Sequence, residues 1–282
     1  MRGARIASMA KDSTFLFWNL GRTNNPQLLF DCLREADVDI AVFAEWRSLD
    51  LREFRKLLQD AYSLCLPVAN DAKVIVVAKT MLDVAVIREQ TRYSVYRVSC
   101  GNDSLILVGA HLEDKRSHPS SHARYATARD LMGDMMGERA GCSGDAIILG
   151  DFNMEPYDEV ITAPDAFNAV YFKDVIKERR YRTWKGRKYE FLYSPMLCSY
   201  SEKGPQYGSF YSSNLDTETY WHCLDQVLVT TGLVDSVVDV RHLRSINGVS
   251  LISRIKPNKS FSDHLPLLVR LSASSEEVSD GR

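Results

Sequence analysis

Polar side chains lie directly beside five apolar runs of this 282-residue chain, and this pattern constrains the fold more than any other feature. Continuous apolar runs of this length are typical of strands that are buried on both faces. A polar group at the end of such a strand lies at the rim of the sheet, where a ligand can reach it. The polar residues concerned are Asn19, Glu45, His111, Asp151 and the pair Asp263-His264.

Strand ends that are far apart in the sequence can meet at one rim of a folded sheet. A rigid scaffold that gathers such ends can hold a metal and an acid–base site together. We therefore expect these polar groups to surround one site, although they are spread over most of the chain.

Strands and helices alternate along the chain, which favours an α/β fold with mixed rather than purely parallel pairing. Asn25 is predicted to cap a helix that has Pro26 at its first position. Helices are predicted over residues 25–36, 49–60 and 119–138. Strands are predicted over residues 14–20, 39–45, 62–66, 73–78, 84–88, 93–99, 105–111, 145–150, 224–230, 236–241 and 265–271.

One domain over residues 13–271 is the simplest division, because no internal repeat and no clear linker interrupts the pattern. The termini, residues 1–12 and 272–282, are expected to be flexible. Residues 201–214 are rich in Ser, Gly and Tyr and are predicted to form a loop.

The composition, 45% hydrophobic and 26% charged, is that of an ordinary soluble globular protein. No apolar run reaches the ~18 residues that a membrane span needs, and no apolar segment follows the basic residues 1–5 as in a secretory signal. The six cysteines include no CxxC pair, which favours reduced thiols in a cytoplasmic protein over disulfides or a zinc site. The net charge of −2 predicts no overall attraction to polyanions, so any attraction to phosphate must be local.

The tetrapeptide Gly150-Asp151-Phe152-Asn153 is the strongest local signal of chemistry. A carboxylate beside a side-chain amide suits attack by water on phosphorus, because the carboxylate can take the proton and the amide can donate to the developing oxyanion. The alternative interpretation is an Asp-Asn turn that caps the strand.

The tripeptide Ser262-Asp263-His264 is the second signal. A histidine beside an aspartate can titrate near neutral pH and contact a phosphate, although many surface histidines have no such role. Asp225 lies within a predicted strand, where a carboxylate is costly unless it is paired, so His264 or a metal is its expected partner. The alternative is an edge-strand carboxylate that faces water.

Asn19 and Glu45 end the first two predicted strands and offer oxygen ligands. A few oxygen ligands, with water completing the shell, suit Mg²⁺ or Mn²⁺. His111 completes the group at the predicted rim. The remaining histidines carry less weight and are expected in solvent or without a motif: His118, His122, His222 and His242.

Six motifs in this order resemble the endonuclease/exonuclease/phosphatase superfamily, which has DNase I-like folds. Each motif alone is unspecific, but the six in order are very specific and extend over nearly the whole chain. The motifs are Trp18-Asn19-Leu20, Glu45, Gly109-Ala110-His111, Gly150-Asp151-Phe152-Asn153, Leu224-Asp225-Gln226-Val227-Leu228 and Ser262-Asp263-His264.

The resemblance implies a four-layer α/β sandwich of two packed mixed sheets flanked by helices, with the site at one rim. It also implies metal-dependent hydrolysis of phosphoesters. Asn19 and Glu45 would bind Mg²⁺ or Mn²⁺, and Asp263 would help with the metal or the water. Asp151 would orient or deprotonate the attacking water, and Asn153 would hold the phosphate.

The remaining two roles implied by the resemblance concern histidines. His264, oriented by Asp225, would contact the scissile phosphate. His111 would lie near the leaving group or a phosphate oxygen.

The sequence departs from many relatives at two places. Many repair members carry an aspartate two residues after the first asparagine, where this chain has Gly21. This change weakens any assignment to abasic-site enzymes. The glutamate stands in the context Ala44-Glu45-Trp46 instead of Gln-Glu. Neither departure removes a residue with an implied role.

A nuclease that acts on DNA or RNA is the favoured hypothesis, because residues 179–189 contain six basic and three aromatic side chains. Cations can follow a nucleic-acid backbone while rings stack on bases. A solvated basic loop is the competing interpretation. The candidate nucleic-acid-binding residues are Arg179, Arg180, Arg182, Trp184, Lys185, Arg187 and Lys188.

Two other functions use the same scaffold. A phosphatase or phosphodiesterase for inositol phosphates or lipids is one, but such enzymes have a Trp-Cys-Asp-Arg stretch where this chain has Trp221-His222-Cys223-Leu224-Asp225-Gln226, without the arginine. No exposed apolar hairpin or membrane helix supports it. A non-catalytic binding module is the other, and it predicts gaps in the motifs, of which there are none.

Overall fold

Two large mixed β-sheets pack face to face, and helices cover their outer faces, which confirms the predicted α/β sandwich. The coordinates are a computed structural model that describes residues 13–21, 23–115, 117–118, 120–141, 144–197, 208–213 and 220–272. The predicted flexible termini therefore lie outside the described residues, except residue 272.

The described residues include five α-helices and two 3-10 helices. The α-helices are α1 (Pro26–Glu35), α2 (Leu51–Leu58), α3 (His122–Gly141), α4 (Glu159–Thr162) and α5 (Lys173–Glu178). The 3-10 helices are Trp46–Ser48 and Thr231–Ser236.

The described strands form two large sheets and four two-stranded hairpins. The strands are β1 (Ser13–Asn19), β2 (Ile40–Ala44), β3 (Tyr62–Cys65), β4 (Val74–Lys79), β5 (Asp83–Glu89), β6 (Tyr93–Cys100), β7 (Asp103–His111), β8 (Asp145–Asp151), β9 (Ala169–Val170), β10 (Tyr181–Trp184), β11 (Arg187–Glu190), β12 (Leu192–Tyr193), β13 (Phe210–Tyr211), β14 (Trp221–His222), β15 (Asp225–Thr230), β16 (Val237–His242), β17 (Ser245–Ile246), β18 (Val249–Ser250), β19 (Ile252–Ser253), β20 (Lys256–Pro257) and β21 (Leu267–Leu271).

The first large sheet has the strand order β16-β21-β1-β2-β4-β3, and the second has the order β5-β6-β7-β8-β15-β12-β9. Each sheet contains a central parallel pair, β1 with β2 and β7 with β8, and the strands beside these pairs run antiparallel. The parallel pairs carry the longest apolar runs because both of their faces are buried.

Three apolar clusters hold the four layers together. The central cluster joins the two sheets and includes Phe17 of the first sheet and Leu149 of the second. The outer clusters pack α1 and α2 on the first sheet, and α3 and α4 on the second. At Gly109 a Cβ atom would lie 2.8 Å from Val42 Cγ1, so only glycine permits this approach between the sheets.

Local signals placed most elements correctly. The Asn25 side chain accepts a hydrogen bond from Leu28 N at 3.1 Å, which confirms the predicted cap. The second predicted helix is shorter than expected, because Asp50 caps it and Gln59 has a φ of 43°. The predicted loop 201–214 lies mostly outside the described residues, but Phe210 and Tyr211 form a strand and not a loop, because they pair with β14.

The helices were compared with the length and apolar character that a membrane span requires. None of the helices in the described part of the chain is long and apolar enough to span a bilayer.

Candidate active site

Strand register brings the predicted polar groups to one rim of the two sheets. In the second sheet, Asp151 pairs with His111 on one side and with Asp225 on the other. In the first sheet, Asn19 at the end of β1 pairs with Ala44, and Glu45 follows directly. The prediction that these strand ends meet is therefore confirmed.

Asp151 is the centre of this rim and is only 2% exposed. Its Oδ2 accepts a hydrogen bond from Asn19 Nδ2 at 3.0 Å, and this contact joins the two sheets. Its Oδ1 accepts a hydrogen bond from Asn153 N at 2.9 Å. Both oxygens are thus held in place before any substrate arrives.

The side chain of Asn153 has a partner of its own. Asn153 has a φ of 52°, and its Nδ2 donates to Leu112 O at 3.0 Å. The predicted contact between Asn153 and a phosphate stays a prediction, since one amide hydrogen already serves to fix the loop after β7.

Asp225 and His264 form a buried pair. Asp225 is fully buried, and its Oδ2 lies 2.8 Å from His264 Nδ1. The other imidazole nitrogen, Nε2, lies 3.9 Å from Asp151 Oδ2. The pair therefore presents one ring nitrogen towards the central carboxylate, which is the arrangement that orients a histidine for acid–base work.

The charge state of His264 follows from its neighbours. Burial opposes a charge on the imidazole, but the carboxylates of Asp225, Asp151 and Asp263 outweigh it and raise the pKa of His264 to about 10. Asp225 Oδ1 has no hydrogen-bond partner within the described ranges. A buried oxygen of this kind favours a nearby positive charge.

Backbone and side-chain bonds fix the segment that carries His264. Ser262 Oγ donates to Asn19 O at 2.7 Å and accepts from His264 N at 3.0 Å. Trp18 Nε1 donates to His264 O at 3.0 Å. The sequence motif singled out Ser262 as a neighbour, and the structure shows that its hydroxyl ties the motif to the end of β1.

Glu45 and His111 extend the site towards the first sheet. His111 Nε2 lies 3.7 Å from both Glu45 Oε1 and Asp151 Oδ2, so the two carboxylates face the same imidazole nitrogen. Glu45 has a φ of 52°, in the left-handed region that is costly for a residue with a side chain. Strain of this kind at a strand end is typical of functional sites.

Asp263 explains why position 21 is a glycine in this chain, where many repair members of the superfamily have an aspartate. Gly21 has a φ of +55°, and a Cβ atom there would lie 2.6 Å from Asp263 Oδ1. The backbone of Gly21 also donates to Asn19 Oδ1 at 3.0 Å. Asp263 thus occupies the space that a side chain at position 21 would need.

The donors at the rim fit a hard divalent cation. Carboxylate and amide oxygens predominate, supplied by Glu45, Asp151, Asp263 and Asn19, and such ligands suit Mg²⁺ or Mn²⁺. A second arrangement is also compatible with a metal, because ligand atoms of Asp151, Asp225 and His264 all lie within 4.8 Å of one another. In this second arrangement Asp225 and His264 already bond to each other.

A short hairpin lies against this rim and was not predicted from the sequence. It consists of β13 and β14, and the ring centroid of Phe210 is 5.0 Å from that of His264. Ser209, directly before it, accepts the Asp225 N–H bond through Oγ at 3.0 Å. Tyr211 packs against Tyr220 and Trp221, with centroids 5.7 and 5.5 Å apart.

Glu155 holds the second strand of this hairpin. Its Oε1 lies 2.6 Å from His222 Nδ1, and its Oε2 accepts from Cys223 N at 3.2 Å. No sequence motif indicated His222, because its partner is 67 residues away. The contact shows that the loop after β8 fixes the hairpin beside the rim.

The basic segment lies elsewhere, as the hairpin of β10 and β11. At its base, Glu190 pairs with Arg139 at 2.8 Å and accepts from Thr231 Oγ1 at 3.0 Å. Thr231 follows the end of β15 that is opposite to Asp225. The candidate nucleic-acid residues are therefore anchored at the far end of the second sheet and do not line the rim.

Three of the candidate basic residues are partly engaged. Arg182 bonds Asn168 and donates to Thr162 O at 2.9 Å, so it has a structural role. Arg179 Nε lies 3.6 Å from Glu178 Oε1, and Lys188 Nζ lies 3.3 Å from Tyr181 Oη. A nucleic-acid contact for these residues stays a prediction.

The other histidines differ in burial. His118 and His122 are exposed, as expected. His242 is buried beside the pair, with its Nε2 3.4 Å from Asp225 O. Burial, together with the charge of His264, lowers the pKa of His242 to about 4.

The depressed pKa of His242 predicts a pH-dependent loss of stability. Because the folded pKa lies below the unfolded value of ~6.5, His242 stays neutral in the fold, and stability is lost as the pH falls from about 6.5 towards about 4. Relative to a His242→Gln variant, the wild type should lose ~2 kcal/mol of unfolding free energy between pH 7.5 and pH 5. Urea unfolding of both proteins in EDTA measures this difference, and parallel pH curves would contradict it.

Proteins with this fold and this kind of rim form the DNase I-like class, whose members are phosphoesterases. A model of the Endonuclease/Exonuclease/phosphatase family matches residues 16–264, and the chain belongs to this family. The superfamily resemblance in the sequence is therefore confirmed. A search of curated proteins found no match.

Solved structures share the fold at low sequence identity. Truncated TDP2 from Caenorhabditis elegans is 17% identical, with a TM-score of 0.59 over 93% of this chain and 98% of that one. The mannosyl-6-phosphatase Bt3783 from Bacteroides thetaiotaomicron is 15% identical, with a TM-score of 0.58 over 93% of this chain and 100% of that one. The endonuclease domain of TRAS1, a telomere-specific non-LTR retrotransposon, is 12% identical, with a TM-score of 0.56 over 93% of this chain and 100% of that one. These likenesses show the fold and leave the substrate open.

Proposed function

We propose that this chain is a metal-dependent phosphodiesterase that cleaves nucleic acid. The observation that carries the proposal is the Asp225–His264 pair, which presents His264 Nε2 within 3.9 Å of the buried Asp151 carboxylate. A charged or hydrogen-bonding imidazole and a fixed carboxylate on one rim match what hydrolysis of a phosphoester requires.

In this proposal Asp151 accepts the proton of the attacking water. Its Oδ1 and Oδ2 are fixed by Asn153 N and Asn19 Nδ2, so the carboxylate needs no rearrangement before the reaction. His264, held by Asp225, donates from Nε2 to a phosphate oxygen and stabilises the charge that develops there. Positioning and electrostatics of this kind account for most of the rate in phosphoryl chemistry.

Glu45, Asn19 and Asp263 would hold a divalent cation, which supplies positive charge to a phosphate oxygen when bound. His111 lies between Glu45 and Asp151 and is placed to contact the leaving group or a phosphate oxygen. The several carboxylates on this rim repel one another without a cation, which supports the metal requirement.

The aromatic hairpin supports a polynucleotide substrate over a small phosphoester. The Phe210 ring lies against His264, and Tyr211 of the same hairpin packs with Tyr220 and Trp221. Rings beside a phosphate site can stack on bases, at ~1–3 kcal/mol per base. The TRAS1 neighbour is an endonuclease domain, which agrees with this choice.

A substrate panel with and without metal tests the proposed function. The wild type should release product from single-stranded DNA, RNA or plasmid in Mg²⁺ or Mn²⁺, and EDTA should abolish the release. Inositol phosphates and hexose 6-phosphates are the comparison substrates, because the alternative function and the mannosyl-6-phosphatase neighbour point to them. Turnover confined to these small esters would contradict the nuclease proposal, and no turnover of any ester would favour a binding module.

A further inference from the structure

A groove between α3 and the β10–β11 hairpin lies outside the catalytic rim and has a volume of about 810 Å³. We propose that it binds a single-stranded segment of the nucleic acid away from the cleaved bond, an inference that rests on the proposed function. Its lining includes the basic and aromatic residues Arg129, Trp184, Lys185, Arg187, Lys188 and Tyr189.

The groove is separate from the rim because its hairpin is anchored at the far end of the sheet. Glu190 at the base of the hairpin bonds Thr231, while Asp225 and Asp151 mark the other end of β15 and β8. β8 has seven residues, which at ~3.3 Å per residue place the base of the hairpin ~20 Å from the rim end of the strand.

The cations at the groove have no acidic partners within the described part of the chain. No ion pair there involves Lys185, Arg187, Lys188 or Arg129, in contrast to Arg139, which pairs with Glu190. Cations without an acidic partner can bind the phosphates of a nucleic acid, and this binding releases counterions from the nucleic acid.

Three acidic groups also line the groove. The charge of Glu190 is offset by Arg139, whereas Asp165 accepts a hydrogen bond from the neutral Tyr125 hydroxyl and keeps its charge. Asp130 and Asp165 therefore remain, against four cations. The local charge is therefore positive, although the whole chain carries a net charge of −2.

Aromatic rings lie among these cations at contact distance. Lys185 Nζ lies 4.2 Å from the centroid of the Trp184 ring, and the Trp184 and Tyr189 centroids are 6.2 Å apart. Tyr181, on the same hairpin, is 47% exposed, and Lys188 Nζ lies 4.5 Å from its centroid. Alternating rings and cations are the pattern that binds a single strand through stacking and backbone contacts.

The turn of the hairpin holds a lysine in an unfavourable conformation. Lys185 and Gly186 have φ values of 46° and 76°, as a two-residue type I′ turn requires. Asparagine is preferred at the first of these positions, so Lys185 places a cation at the tip at a conformational cost. Such a cost is consistent with a function for the Lys185 side chain. It also means that asparagine can replace Lys185 without disturbing the turn.

The triple variant Lys185→Asn, Arg187→Thr and Lys188→Thr tests the groove. Asn suits the turn and Thr suits a strand, so the hairpin should still form. Binding of a labelled 20-nucleotide single strand is measured by anisotropy in an Asp151→Asn background, which prevents cleavage. The dissociation constant should rise at least ~10-fold, and the slope of log affinity against log salt should fall by ~2 for three lost contacts.

A matched variant removes the same charge from the opposite helix layer. Arg52→Gln, Arg55→Gln and Lys56→Gln are exposed changes on α2 and should leave the affinity within ~2-fold. Equal loss of affinity for the 20-nucleotide strand in both triple variants, or no loss in either, would overturn the inference.

Hydrolysis of bis(p-nitrophenyl) phosphate separates this inference from the proposed function. The wild type and the hairpin triple variant, both with Asp151 intact, should hydrolyse this small diester equally in Mn²⁺. Failure of the wild type to hydrolyse any diester would refute the proposed function, whereas the binding data would still decide whether the groove takes a strand.

Discussion

An Asp151→Asn variant should lose at least ~10²-fold in kcat while the fold stays intact, because its carboxylate accepts the proton of the attacking water. The substitution keeps the shape of the side chain and an oxygen that can accept from Asn19 Nδ2. Initial rates on a nucleic-acid substrate in Mn²⁺ measure the loss.

A matched control for this variant is Asp83→Asn, which removes the same charge from an exposed position at the start of β5. It should keep kcat within ~2-fold. Thermal melts of both variants exclude unfolding as the cause. Near-normal turnover of Asp151→Asn would refute the role of Asp151.

The second large effect is expected from the buried pair. A His264→Gln variant should lose ~10²–10⁴-fold in kcat/KM, the range for a positioned acid or base. It should also be destabilised by ~3 kcal/mol, because it leaves the fully buried Asp225 carboxylate without its partner.

Combining the substitution with Asp225→Asn separates the two effects. The double variant carries neither charge, so it should recover part of the lost stability without recovering activity. Its kcat/KM should be close to that of His264→Gln alone, because the two residues act as one unit. A kcat/KM of the double variant that falls by the product of the two single losses would indicate independent roles. The neutral control is His122→Gln, a substitution of an exposed histidine.

The sequence predicted the rim well because its signals are local. Each apolar run ends at its own polar residue, so strand and site are encoded together, as at Asp151 and His111. The Asn25 cap is local in the same sense. Because register within a buried sheet is fixed by the apolar pattern, strand ends that are predicted separately meet in the fold.

What the sequence could not supply depends on contacts between distant segments. The Glu155–His222 contact has no local signature, and neither does the fit of Gly21 against Asp263. The basic segment looked suited to the cleavage site, but its position is set by the pairing of Leu192 with Thr230, which no property of residues 179–189 reveals.

The central claim is that distant strand ends form one cation site beside Asp151, and anomalous diffraction from crystals soaked in Mn²⁺ tests it most directly. We predict an anomalous peak in contact with the Glu45 carboxylate and beside Asp151, lost in a Glu45→Gln variant. A map with no peak at this rim, or with its peak elsewhere in the molecule, would contradict the account.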